Sequence, residues 1–251
     1  MEANLRTRIH ELGRKRGIPE AVVEEVLRHV RPSINLCEYD GSSWREGIPP
    51  AAMAGGLPRL PEGMEWPDDD QPHLVTIDCA ALPRDVLDID LPQDGLLLVF
   101  CNLDHHDAPV LLYVPAGTET TEREPEIVDE DHPVHARTPL YPVVVWHLDY
   151  GNWGSIPGVL EFTEHNPPGE HKMKEFIEDL ERLFGDSSHG RIRLGGDSLY
   201  FQIPPEDDGL THFLTVFADP FDSVLNFAFG GTREDIAARR YEKLRHYCEP
   251  I

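Results

Sequence analysis

The chain has 251 residues, 40% of them apolar. That supplies a sizeable core and excludes wholesale disorder. Forty-six Asp and Glu against 22 Lys and Arg give a formal charge of −24. Such a balance argues against nucleic acid and anionic membrane surfaces as partners, and leaves a basic protein, cations or plain solubility.

The N-terminus predicts two helices. Leu5, Ile9 and Leu12 recur at helical spacing, with Gly13 or Gly17 able to end the run. "IPEAVVEEVLRHVRP" places Pro19 in a first turn and Val23, Val26, Leu27 and Val30 on one stripe, with Pro32 as the stop. A third amphipathic helix is "EHKMKEFIEDLERLFG", closed by Gly185, and a short fourth begins at Thr232, where Thr232 and Asp235 fit a capping box. The remaining apolar material predicts strands: "HLVTIDC", "GLLLVFCN", "PVLLYVP", "PVVVWHLDY", "SLYFQIP", "HFLTVFAD" and "SVLNFAFGG". Strands outnumber helices without βα alternation, which predicts an α+β fold of mixed, mainly antiparallel sheets. Residues 116–139 predict a surface loop.

Two stretches share a pattern. "AGGLPRLPEGMEWPDDDQPHLVTIDC" from Ala54 and "LGGDSLYFQIPPEDDGLTHFLTVFAD" from Leu194 each carry a Gly-Gly pair, prolines, an acidic pair and a His leading a strand. Thr76 or Thr215 follows within that strand, then Asp78 or Asp219. The spacing predicts an internal repeat, 54–101 and 194–230, forming two related lobes with N-terminal and peripheral helices. Residues 1–49 form an N-terminal helical segment and 50–251 the α+β domain on this reading. Trp66 is expected to pack as a lid, on a loop stiffened by proline.

"GGLPRLPEGMEWP", "LVTIDCAALP" and "LPQDGLLLVF", with "EDIAARRYEKLRHYC" near the C-terminus, resemble the YwqG-like family of bacterial proteins. The resemblance spans about residues 50–251 and implies an α+β fold without an established activity. It also implies an immunity or accessory role, with a toxin-like basic protein as partner. The family often has Gln at the places of Thr76 and Thr215, and a Trp-Gly-Asp element where this chain reads "ADPFDSVLNF". No functional residue is therefore carried over.

Candidate chemistry is sparse. "LDHHDAP" offers His105, His106 and Asp107 as ligands for a divalent ion, and "DEDHPVHA" offers Asp129, Asp131, His132 and His135. Adjacent histidines on an extended chain point opposite ways, so ligands from elsewhere would be required. Trp66, Trp153 and Arg59 are the candidates for lining a small-ligand cleft between the lobes. Cys79 and Cys101 lie in core-like runs, where thiols are inert, and three of the four cysteines are expected inside apolar strands. Ser155 lacks the strand–elbow–helix context of a nucleophile, and no Walker loop or G-x-G-x-x-G unit suggests a cofactor. The start of the chain lacks the apolar stretch of a signal peptide and no run is long enough to cross a bilayer, so a cytoplasmic protein is expected.

Overall fold

The computed structural model describes residues 3–38, 47–67, 71–126, 128, 134–148, 153–164, 166–184, 190–198, 201–218, 221 and 223–250. It is an α+β protein, with five helices among the described residues and large antiparallel sheets. The chain divides into two compact units, residues 1–33 with 145–188 and residues 34–144 with 189–251. This division differs from a cut at residue 50, because the N-terminal helices share a unit with the middle of the chain.

The first unit holds α1 (Ala3–Arg16), α2 (Glu20–His29), α3 (Pro157–Glu164) and α4 (Pro167–Phe184). Ile9, Val23, Val26, Val159, Met173, Phe176 and Leu180 form its apolar centre. Gly17 ends α1 in the left-handed region, with its N–H on Arg14 O and the Ile18 N–H on Gly13 O. Gly13 instead permits close helix contact, since a Cβ there would lie 2.4 Å from Val23 Cγ2. The Arg16 guanidinium donates to Asp179 Oδ2 at 2.6 Å and holds that carboxyl below its ordinary range.

The second unit is built on a ten-stranded sheet. Its strands are β1 (Arg31–Cys37), β2 (Ala52–Ala54), β4 (His73–Asp78), β5 (Leu96–Phe100), β6 (Val110–Val114), β8 (Thr138–His147), β9 (Ile192–Leu194), β10 (Thr211–Val216), β11 (Leu225–Gly231) and β12 (Arg245–Pro250). Their order is β12-β11-β10-β9-β1-β8-β2-β4-β5-β6. A separate ribbon pairs β3 (Arg59–Pro61) with β7 (Thr120–Glu122). The large sheet curls, so that Leu103 O, just past β5, accepts the Leu225 N–H of β11 at 2.9 Å. One continuous apolar cluster runs from Ile34 and Val75 to Phe213, Phe227 and Tyr241.

Two four-strand arrays, β2-β4-β5-β6 and β9-β10-β11-β12, follow the same order outward from the middle of the sheet. Ala54 pairs with Val75 as Leu194 pairs with Leu214. Both arrays shift register at the same place, between His73 and Val75 and between His212 and Leu214. They are two wings of one sheet on a shared core.

Several expectations need correction. α2 ends at His29, ahead of Pro32 as expected, but the chain then enters β1 directly, a strand the sequence did not predict. "SLYFQIP" forms no strand among its described residues, since 201–204 run irregularly toward the turn at Pro205–Asp208. The loop at 116–139 carries β7 and the start of β8. Two cysteines, Cys37 and Cys248, lie in strands, while Cys79 opens a helical turn and Cys101 follows β5. Gly185, Asp69, Asp70 and Asp219 lie outside the described residues.

The capping box at Thr232 is present, and opens α5 (Arg233–Ala237). Thr232 Oγ1 accepts the Asp235 N–H at 3.0 Å. Thr232→Ala is expected to lower stability by about 1 kcal/mol in urea unfolding. An unchanged midpoint would show the cap to be idle.

Candidate functional site

Each Gly-Gly pair is tied to the histidine of its own array. Gly55, Gly56, Gly195 and Gly196 all have φ between +64° and +73°, a conformation that side-chain-bearing residues adopt at a cost. The turn sends the Gly55 N–H to Leu74 O and the Gly195 N–H to Phe213 O, and leaves glycine carbonyls facing inward. His73 Nδ1 lies 3.0 Å from Gly56 O and its Nε2 3.0 Å from Thr76 Oγ1. His212 makes the corresponding clasp on Thr215 Oγ1 (2.7 Å) and on Gly195 O (3.1 Å), the first glycine of its pair where His73 takes the second. A carbonyl only accepts, so both rings carry their proton on Nδ1 and accept the threonine hydroxyl at Nε2.

Burial pushes both imidazoles down to about 4, so they are neutral across the physiological range. The Arg193 guanidinium adds to this at His212. Arg193 is itself fully buried, donates from Nε to Asn35 Oδ1 at 3.2 Å and lies over the Phe217 ring. Asn35, Arg193 and Thr215 stand opposite one another across β1, β9 and β10. The matching place in the other array is Met53, opposite Thr76. Arg193 to Asn35 and Thr215 to His212 thus form a row of polar contacts inside the sheet.

The expected cleft residues serve different partners. Trp66 sits edge-on to Phe100 at 5.2 Å, and its indole N–H donates to Gln71 O at 3.0 Å. Arg59, on β3, turns to the Thr120 hydroxyl and carbonyl. Trp153 belongs to the helical unit and packs on its apolar centre. His105 and His106, in a turn after β5, reach different partners. His105 Nδ1 is 3.8 Å from Asp107 Oδ2, whereas His106 Nδ1 is 2.9 Å from Cys248 Sγ. No group of three His, Cys, Asp or Glu able to hold a metal occurs among the described residues. His135 packs on Phe221 and is held below its ordinary range by burial. Asp129, Asp131 and His132 lie outside the described residues. The Cys79 thiol is pushed up to about 12 by burial, and Cys101 is also raised by burial, so neither is a ready nucleophile.

The strongest surface feature is electrostatic. The β3–β7 ribbon is anchored by Leu60, buried among Leu98, Phe100 and Val114. The ribbon and its flanking residues expose Glu62, Glu65, Glu119, Glu122, Glu124 and Glu126, against Arg59 and Arg123 in the same segments. Arg137 pairs with Glu122. A second exposed acidic stretch holds Asp85, Asp88, Asp90 and Asp94, of which Asp88 pairs with Arg233.

Composition announced the acidity but not its placement, which depends on the ribbon pairing. The His clasp was visible only as spacing. No helix among the described residues is long and apolar enough to cross a membrane. No curated protein matches the chain. Residues 53–138, essentially the β2-to-β7 portion, match a family described as a domain of unknown function (DUF1963).

Proposed function

We propose that this protein is a cytoplasmic binding module, whose acidic β3–β7 ribbon docks a basic protein partner. The observation that carries the reading is the set of six exposed glutamates on and beside the ribbon, whose segments carry two arginines. Charge complementarity of this kind speeds association and makes it salt-sensitive. The resemblance to YwqG-like bacterial proteins, for which the match over 53–138 is the coarser support, favours an immunity or accessory role against a toxin-like partner. The neutral, mutually satisfied histidine clasps and the raised thiols also favour a binding role over a catalytic one.

The test is co-purification from the native host at about 50 mM and about 500 mM NaCl, using wild type and the triple variant Glu119→Lys, Glu124→Lys, Glu126→Lys. A stoichiometric basic partner should appear at low salt. The triple variant should lose at least tenfold in affinity with an unchanged melting temperature. Equal recovery by the variant, or no stoichiometric partner at either salt, would overturn the reading.

A further inference from the structure

At one end of the ten-strand order, β12 pairs with β11 alone. No backbone hydrogen bond joins its outer side to any other described segment. An open edge of this kind is a template for another strand, and proteins that remain monomeric usually block it.

The side chains of β12 show what it would accept. Arg245, Tyr247 and Glu249 alternate onto one face, which the 202–208 segment supports. Tyr247 Oη donates to Asp208 Oδ2 at 2.8 Å, Arg245 Nη1 lies 2.9 Å from the same oxygen, and the Gln202 N–H donates to Glu249 Oε2 at 3.2 Å. Turned end for end about Tyr247, the strand is complementary to itself. Arg245 falls opposite Glu249 of the second copy, and His246 falls opposite Cys248. A parallel arrangement would set like charges together, and antiparallel registers centred on His246 or Cys248 would lose both ion pairs. Arg245 would then stand between Asp208 of its own chain and Glu249 of the other, offsetting both. The strand's far end is flanked by exposed apolar side chains. Ile203, next to Gln202, is 68% exposed, and Val224, next to Leu225 opposite Pro250, is 53% exposed. A second copy lying along the edge would cover them.

We propose that β12 is a self-association edge, where a second copy of the chain pairs antiparallel about Tyr247 and is closed by two Arg245–Glu249 ion pairs. The result is a two-fold dimer with one sheet running through both copies.

Sedimentation equilibrium of wild type, Glu249→Arg, and the double swap Arg245→Glu with Glu249→Arg tests the ion pairs. The expected order is a wild-type dimer, at least tenfold weaker association in Glu249→Arg, and recovery in the double swap. Residues directly opposite across an antiparallel pair have Cα atoms about 4.5–5.5 Å apart, within disulfide reach. Tyr247→Cys in a Cys248→Ser background should therefore give a covalent dimer on mild oxidation with a disulfide reagent. The triple ribbon variant should dimerise normally, which separates this proposal from the docking of a basic partner. A wild type that stays monomeric at every concentration, or a dimer in which Tyr247→Cys does not cross-link, would overturn the proposal.

Discussion

Gly55→Val is expected to abolish folding at room temperature, while Gly56→Val leaves a folded but weakened protein. A Cβ at Gly55 would lie 2.3 Å from Ala136 O and 2.7 Å from His135 O, both backbone atoms that cannot step aside. At Gly56 the obstruction is the Arg137 side chain, at 2.5 Å, which can swing toward solvent. Both positions also have positive φ, +65° and +72°, which a β-branched residue adopts only with strain. Strain alone is worth about 1–3 kcal/mol, whereas a backbone collision added to it exceeds about 4 kcal/mol and consumes most of a domain's stability. His105→Ala, on an exposed turn, should stay within about 0.5 kcal/mol of wild type. Urea unfolding of the three variants measures the order, and a Gly55→Val protein as stable as His105→Ala would remove the basis for it.

The second large effect is loss of stability in mild acid. His73 and His212 have folded-state values of about 4 against an ordinary 6.5. The unfolded chain therefore binds two more protons than the folded one between these limits. Stability is fully present above about pH 6.5 and declines as pH falls toward 4. Each histidine contributes about 3 kcal/mol over that interval, on the order of its displacement times 1.36 kcal/mol per unit. The depressed carboxyls of Asp179 and Asp235 act lower, as pH drops below their unfolded values near 4. Urea midpoints taken between pH 7.5 and 5 should fall steeply and together by fluorescence and circular dichroism. A flat profile over that range would mean that the rings are not buried neutral.

Much of this architecture was legible in residue pattern, and the exceptions have physical causes. The periodicity of Met173, Phe176, Ile177 and Leu180 located α4, and the Thr232 cap located α5, because both signals are local. Most of the long apolar strands were equally clear. β2 and β9 have three residues each, too few for any period to show. β1 was hidden by Pro32, and β12, "RHYCEP", is a polar edge with no apolar alternation to announce it. α3 opens on Pro157 and Gly158 behind the glycine-rich "GNWGSI", which read as turn chemistry. At the candidate site, the Gly-Gly, His and Thr positions stood out by spacing. Their chemistry did not, since a hydrogen bond across 17 residues needs the strand register to be known. Arg193 is enclosed by the pairing of β1, β9 and β10, which no local pattern announces.

The matched histidine clasp in the two wings underlies the view of this fold as shape-forming and binding, with its chemistry placed at the surface. Nitrogen-15 NMR of the imidazole rings, recorded near pH 5.5, tests it most directly. Of the 13 histidines, His73 and His212 should remain neutral at that pH with the proton fixed on Nδ1. If either ring is charged at that pH, or carries its proton on Nε2, the two wings do not share the clasp and the account fails.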